Sequence, residues 1–232
     1  MLKVRPSRTL DGGNFGWLKA KHHFIVGPEG NPANEPLGSL VVWNDDEIAP
    51  GTGFGLHGHA NMEIVTYVRE GTVTHRDSTG NVGRTAAGDV QAMSAGTGIR
   101  HSEQNLDKDT LRLFQIWLQP RVNGGEPRWE TRRFPTAARP NELVVLASGW
   151  ANDAEALPIR ADARVLGATL LAGSRVDHEL GSLRYAYLAP ARGIVEVNGQ
   201  RLAAGDGVAA TDERRLTILA VEDSELILVV TA

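Results

Sequence analysis

Short apolar segments separated by turn residues run along the whole chain, and this pattern limits the folds open to it. The segments are bounded by glycine, asparagine, aspartate and proline; they span residues 40–43, 64–68, 111–118, 143–146 and 226–230. Segments of this length and flanking composition are typical of β-strands. No stretch shows apolar residues at helical spacing over three turns. Because 26 glycines are spread along 232 residues, we predict an all-β protein, a sandwich or a barrel.

A strand–turn–strand pattern occurs twice. In the first half, residues 71–75 precede a turn at 77–81 and an Ala-Gly-Asp sequence at 87–89. In the second half, residues 193–197 precede Asn198 and Gly199, a strong hairpin signal, and the same Ala-Gly-Asp sequence at 204–206. Two similar antiparallel barrels in tandem are therefore predicted. Residues 120–140, rich in proline and glycine, form the crossover, so the predicted domains are residues 1–135 and 136–232.

Composition and charge exclude several classes of protein. The chain has 24 basic and 28 acidic residues and a formal net charge of −4, which offers no broad basic surface for nucleic acid or membrane. It has no cysteine, which excludes disulfides, thiolate metal sites and cysteine nucleophiles. The first residues lack the apolar run of a signal peptide, and no apolar run approaches the ~18 residues of a membrane span. We expect a cytoplasmic protein that binds neither nucleic acid nor membrane directly.

Two pairs of residues in the first half could carry chemistry. His57 and His59 are separated by one residue, and so are His101 and Glu103. On a strand, residues at this spacing lie on one face, roughly 6–7 Å apart. If the two strands are neighbours, three imidazoles and one carboxylate converge inside one barrel. Such a set suits Fe(II), Mn, Ni, Cu or Zn and leaves coordination positions open.

An alternative reading is that each histidine is separately an ordinary half-buried or surface residue. Taken singly, any one of them favours that reading. Taken together, three buried imidazoles beside a carboxylate are costly without a cation. The paired spacing therefore favours a metal site.

The residues around these pairs resemble the two signature motifs of the cupin superfamily. The first runs from Gly51 through the two histidines to Glu63, and the second runs from Gly88 through His101 to Asn105. Three stretches are similar to the pirin family in particular: HGHANMEIVTY at 57–67, HRDS at 75–78 and GDVQAMSAGTGIRHSE at 88–103. The resemblance implies a bicupin, with two tandem β-barrels of the jelly-roll (double-stranded β-helix) type. The metal would lie in the N-terminal barrel, and we predict that the C-terminal barrel binds none, because its half of the chain contains only one histidine.

The resemblance also assigns roles to residues. It makes four residues the metal ligands: His57, His59, His101 and Glu103. Glu63 is a ligand in many other cupins but is not a usual one in pirins, so we expect it to support a ligand or the fold. The sequence differs from the family at Gly58, where pirins commonly have proline, and at Ala60 and Asn61, where arginine and aspartate are usual. Gly58 makes the ligand loop more flexible.

The remaining histidines are expected to have no part in chemistry. His75 lies beside the 77–81 turn and is predicted to be exposed to solvent. His22 and His23 are predicted to be structural residues. His178 is the one histidine after residue 136, and it is predicted to be a surface residue of a barrel that binds no metal. Phe54, beside the ligand loop, could form a wall of a pocket.

The resemblance implies an oxidoreductase similar to quercetin 2,3-dioxygenase, which opens flavonols such as quercetin with O₂ and releases carbon monoxide. It would use one divalent transition metal, first of all Fe(II), with Cu, Ni, Mn or Zn as alternatives. Glu103 would be the catalytic residue that accepts the flavonol hydroxyl proton. The partners would be a small aromatic or enolic substrate and O₂, and we expect a monomer.

Two other functions stay open. One is a pirin-like metal-binding regulatory protein that acts through protein partners. The other is a cupin enzyme that acts on another enolic substrate or on a sugar.

Overall fold

The chain is almost entirely β-structure in the computed structural model, which describes residues 1–27, 30–134, 140–181 and 185–232. Two short 3₁₀ helices, Ser7–Thr9 and Pro32–Asn34, accompany the strands. The strands are β1 Leu2–Arg5, β2 Asp11–Asn14, β3 Leu18–His22, β4 Leu40–Ile48, β5 Thr52–His59, β6 Glu63–Glu70, β7 Thr72–Asp77, β8 Val82–Ala86, β9 Val90–Ser94, β10 Ile99–Asn105, β11 Leu111–Leu118, β12 Arg128–Arg132, β13 Val144–Ser148, β14 Leu157–Pro158, β15 Ala163–Leu170, β16 Arg175–Glu179, β17 Tyr185–Arg192, β18 Ile194–Val197, β19 Gln200–Ala203, β20 Gly207–Ala210, β21 Arg215–Ala220 and β22 Ser224–Thr231. Within these described ranges, no helix is long and apolar enough to cross a membrane.

The strands form two barrels, each made of a seven-stranded and a four-stranded sheet. The first barrel combines the sheet β12-β9-β6-β11-β4-β3-β2 with the sheet β5-β10-β7-β8. The second combines β1-β20-β17-β22-β15-β13-β14 with β16-β21-β18-β19. Nearly all pairings are antiparallel; β13 and β14 pair in parallel. The predicted all-β architecture of two tandem barrels is confirmed.

The division between the barrels differs in one respect from the predicted one. The predicted range 1–135 assigns β1 to the first barrel, but β1 pairs with β20 along residues 2–5 and so lies in the sheet of the second. The side chain of Arg5 is buried there and lies over the Phe24 ring, 4.3 Å from its centroid. The predicted boundary at 135/136 falls outside the described residues.

The two seven-stranded sheets pack against each other and enclose an apolar core that both barrels share. Trp43, Phe114 and Ile116 of the first barrel and Tyr187 and Val229 of the second belong to this core. The opposite face of each seven-stranded sheet, which points into its own barrel, is covered as well. Strands covered on both faces carry continuous apolar runs, which explains the uninterrupted burial of residues 64–68.

The interiors of the two barrels differ. The second barrel is filled by one apolar cluster that includes Leu188, Leu202 and Leu228. The first barrel has two separate apolar clusters, one around Leu113 and one around Ile64. Between them a row of polar residues crosses the seven-stranded sheet in register: Thr131, Gln91, Thr66, Gln115, Asn44 and His22. This polar row faces the strands that carry the candidate ligands.

Candidate metal centre

The candidate ligands lie on two neighbouring strands of the four-stranded sheet. Strands β5 and β10 are antiparallel, and His57 lies directly opposite His101. A β-bulge falls between His101 and Glu103, where the register slips so that Glu103 pairs with Phe54. Gly53 makes this approach possible because its φ is +152° and an added Cβ would lie 2.4 Å from the Glu103 carbonyl oxygen. Bulges of this kind redirect side chains near functional sites.

The structure brings three of the predicted ligands together. The ring centroids of His57, His59 and His101 are 4.4 to 5.0 Å apart. One ligand nitrogen from each ring lies within 4.8 Å of the others. His57 and His59 are half-buried, whereas His101 is only 1% exposed. The triad therefore faces solvent on one side and the barrel interior on the other.

The electrostatics of the triad suit a cation. Both ring nitrogens of His101 are buried, and neither has a hydrogen-bond partner in the described structure. Burial, followed by the neighbouring histidines, lowers the pKa of His101 to about 3, and burial together with His57 lowers the pKa of His59 to about 4. Both rings are therefore neutral at pH 7 and offer free lone pairs. Buried nitrogens without a partner are costly, and a divalent ion bound to one of the two would reduce that cost.

A hydrogen bond also prepares His57 for a metal. Its Nδ1–H donates to the carbonyl oxygen of Gly55 at 2.7 Å. This bond engages Nδ1 and leaves Nε2 as the nitrogen that can face a metal, as in most metal-binding histidines. The three imidazoles therefore suit the transition metals that the sequence predicts, which are Fe(II), Mn, Ni, Cu or Zn.

Glu103 lies deeper in the barrel than the triad. It is 2% exposed, and its two carboxylate oxygens accept hydrogen bonds from the side-chain amides of Gln91 and Gln115, the latter at 2.7 Å. Thr66 donates a longer bond of 3.5 Å. Burial raises the pKa of Glu103 to about 7, and these three hydrogen bonds oppose the rise. Its ligand oxygen groups with His101 but not with His57 and His59.

The position of His75 contradicts one prediction. The sequence predicts a solvent-exposed side chain, but in the structure this side chain is 0% exposed. Strand β7 continues through the residue to Asp77 and pairs with β10, so His75 lies opposite Glu103. Its Nε2 contacts the Oδ2 atom of Asp77 at 3.0 Å. No local spacing in the sequence marks His75, because it joins the cluster only through the pairing of β7 with β10.

The other candidates lie apart from the triad. Glu63 is buried and accepts hydrogen bonds from the Ser94 hydroxyl at 2.6 Å and from the backbone N–H of Arg160 at 2.9 Å. It therefore ties the first barrel to the chain that enters the second. His23 is fully buried between the barrels, with Nδ1 2.8 Å from the Tyr187 hydroxyl. His178 is half-buried on β16.

Aromatic and apolar side chains border the triad. Phe54 lies 6.4 Å from the His57 ring and makes an edge contact of 5.2 Å with Trp17. The centroids of the Trp117 and His59 rings are 4.9 Å apart. Two cavities of about 270 and 440 Å³ lie elsewhere, in the crevice between the barrels.

The fold and the histidine triad together define a two-domain cupin protein with one candidate metal centre in the first barrel. Residues 3–118 match the family model described as Pirin, and residues 145–229 match the model described as Quercetinase C-terminal cupin domain. The chain belongs to the pirin family.

Relatives and solved structures agree with this assignment. A pirin-like protein of Caulobacter vibrioides is 56% identical over 229 residues, which cover 99% of each chain. Quercetin 2,3-dioxygenase of Escherichia coli is 40% identical, covering 98% of this chain and 97% of that one. The crystal structure of the bacterial pirin YhhW from Escherichia coli in complex with nickel(II) has a TM-score of 0.92 and 38% identity, covering 100% of this chain and 99% of that one.

Proposed function

We propose that the chain is a metal-dependent dioxygenase that opens flavonols such as quercetin with O₂ and releases carbon monoxide. The name of the Escherichia coli relative supports the substrate class, and the match to a quercetinase C-terminal cupin domain supports it further. The observation that carries the proposal is the cluster of three imidazoles that includes His101, whose ring nitrogens have no hydrogen-bond partner among the described residues, with a carboxylate in the next position on the same face of β10.

Four residues would hold the ion: His57, His59, His101 and Glu103. Three neutral donors and one carboxylate leave a divalent ion with net positive charge and with coordination positions free. When bound, the ion supplies Lewis acidity that stabilises a flavonol as its anion. Fe(II) is the first candidate, and Cu, Ni, Mn and Zn suit the same donors.

The chain's own residues would then bind and orient the substrate. Phe54 and Trp17 would offer an apolar border for a flat aromatic molecule, as small-molecule sites commonly do. Glu103 would accept the flavonol hydroxyl proton, since its carboxylate is held in one orientation by two amide donors and acts as a general base.

The ion would lie in the first barrel, within the predicted domain 1–135. The second barrel, which combines the predicted domain 136–232 with strand β1, would be a structural unit. The apolar interior of the second barrel supports this division. Its sheet also covers one face of the sheet that carries Gln91 and Gln115.

The activity test uses protein loaded anaerobically with Fe(II) and then exposed to O₂ and quercetin. We expect oxygen uptake and carbon monoxide release above the rate with free Fe(II) at the same concentration, and no such activity from the metal-free chain. Glu103→Gln should reduce turnover more than it reduces metal content. If the loaded protein is no faster than free Fe(II), the dioxygenase proposal fails for this substrate, and a regulatory protein acting through protein partners becomes the better account.

A further inference from the structure

His75 is a buried histidine that the four-ligand site does not use. Its ring stacks on Trp129, with centroids 4.6 Å apart and planes inclined by only 5°. Gly83, its partner on β8, leaves room for this indole, because a Cβ there would lie 2.2 Å from the Trp129 ring. The stack fixes the plane of the imidazole.

Asp77 fixes the tautomer of the same ring. The Nε2–H group of His75 donates to Asp77 Oδ2 at 3.0 Å, and Asp77 itself accepts hydrogen bonds from Thr79 and Asn81. Nδ1 therefore carries a free lone pair, and this buried atom finds no hydrogen-bond partner in the part of the chain that the structure describes. Metal-binding histidines commonly have this arrangement, in which one ring nitrogen donates to a carboxylate and the other keeps a free lone pair.

His75 shares its surroundings with two of the residues proposed above as ligands. One ligand atom each from His75, His101 and Glu103 lies within 4.8 Å of the others. All three side chains are buried, at 2% exposure or less. The ring centroids of His75 and His101 are 5.3 Å apart.

We infer that His75, His101 and Glu103 form an inner position for the metal ion, next to the outer position at His57, His59 and His101. Two imidazole nitrogens and one carboxylate oxygen suit a divalent transition metal. Because the two positions share His101, the barrel holds one ion that moves between them. In the outer position the ion faces solvent; in the inner position buried side chains shield it. The inner position is thus a storage site, and the inference rests on the outer site of the proposed function.

The first test removes the outer position and asks whether an ion remains. His57→Ala/His59→Ala protein is equilibrated with Ni²⁺, desalted and measured by elemental analysis beside the wild type. We expect both to hold one ion per chain, the variant with ~10- to 100-fold weaker affinity. Adding His75→Gln to the double variant should abolish binding, whereas adding His178→Gln, a half-buried histidine of the second barrel, should not.

The outcomes separate the two proposals. A double variant that keeps the circular dichroism spectrum of the wild type but binds no Ni²⁺ overturns the inner position alone. A wild type that binds no Ni²⁺ overturns the outer site of the proposed function as well.

The second test uses wild-type ligands at the outer position and so does not depend on the fold of the double variant. Ni²⁺-loaded wild type and His75→Gln are mixed with excess EDTA, and release of the ion is followed by absorbance. We expect release from His75→Gln to be ~10-fold faster, because the ion can no longer withdraw to the buried position. Equal release rates from the two proteins would overturn the inference.

Discussion

His101 is the residue on which both ion positions depend. It lies at the centre of β10, opposite His57 on one neighbouring strand and opposite Asp77 on the other. A buried polar atom without a partner costs roughly 1–3 kcal/mol, and His101 has two such nitrogens among the described residues. The metal-free protein therefore carries a free-energy cost at this residue that ion binding reduces, since the ion coordinates one of the two nitrogens.

Replacing His101 by alanine should weaken metal binding more than any other single change. Loss of a supporting residue around a metal ligand typically costs ~10- to 100-fold in affinity, so loss of this shared ligand should exceed ~100-fold. His178→Ala is the matched control, since that histidine lies on β16 of the second barrel. Isothermal titration with Ni²⁺ makes the comparison, and equal affinities in the wild type and His101→Ala would refute the assignment.

At the level of residues, the ligands that could be predicted are those that lie two residues apart on one strand. His57 with His59, and His101 with Glu103, are recognisable because each pair lies on one strand and shares one face. His75 is not recognisable in this way, because it joins the cluster only through the pairing of β7 with β10. The sequence does not show which strands are neighbours, and a histidine two residues before a turn is as compatible with exposure as with burial.

Strand β5 is the element that determines the geometry of the ligands. Two of its three glycines, Gly53 and Gly58, differ in conformation and in surroundings. Gly53 has a φ of +152° and touches the backbone of β10, whereas Gly58 has open surroundings, with the nearest atom to an added Cβ at 3.7 Å. One glycine is therefore required by the close approach of the strands, and the other is not.

The two glycines should respond in opposite ways to alanine. Gly58→Ala should stabilise the protein by ~0.4–1 kcal/mol, because it restricts the unfolded chain without a clash. Gly53→Ala should destabilise it by more than that amount, since a side chain there meets the Glu103 carbonyl and strains the backbone. Urea unfolding of the two variants measures both values. Destabilisation by Gly58→Ala would show that this part of β5 needs a conformation that only glycine adopts.

At the level of elements, strands were easier to predict than their partners. The continuous apolar run at residues 64–68 indicated a strand because β6 is covered on both faces. The short strand β1 could not be assigned to a barrel, since four residues carry no information about a partner some 200 residues away along the chain, and the ladder with β20 forms only in the folded protein.

The two barrels share one core, and its polar centre is the contact between His23 and Tyr187. His23 follows β3 of the first barrel, and Tyr187 lies on β17 of the second, so the 2.8 Å contact crosses the interface. Trp43 and Phe24 surround the pair. Because this core belongs to both barrels, we expect the barrels to unfold in one cooperative transition.

Protonation of His23 should therefore weaken the whole molecule as the pH falls. Burial lowers the pKa of His23 to about 3, and the positive charges of Arg5, Arg69, Lys21 and His22 add to the effect. In the unfolded chain the group titrates near its ordinary value of 6.5, so between these two values the unfolded state binds more protons. This contribution to stability is complete above pH ~6.5 and is lost as the pH falls towards ~3.

The expected size of this effect is about 1.4 kcal/mol per pH unit within the window. His23→Asn keeps a polar group beside the Tyr187 hydroxyl but does not titrate. The free energy of unfolding of the wild type should therefore fall more steeply than that of His23→Asn between pH 6 and pH 4, as measured by urea unfolding at each pH. Carboxylates and the remaining histidines are present in both proteins, so their contributions cancel in the difference.

His22→Asn is the control, at the half-buried neighbouring position. It should change the pH dependence of the unfolding free energy less, because Asp11 opposes the lowering of the pKa of His22. Parallel curves for the wild type and His23→Asn would mean that the interface admits a charged imidazole.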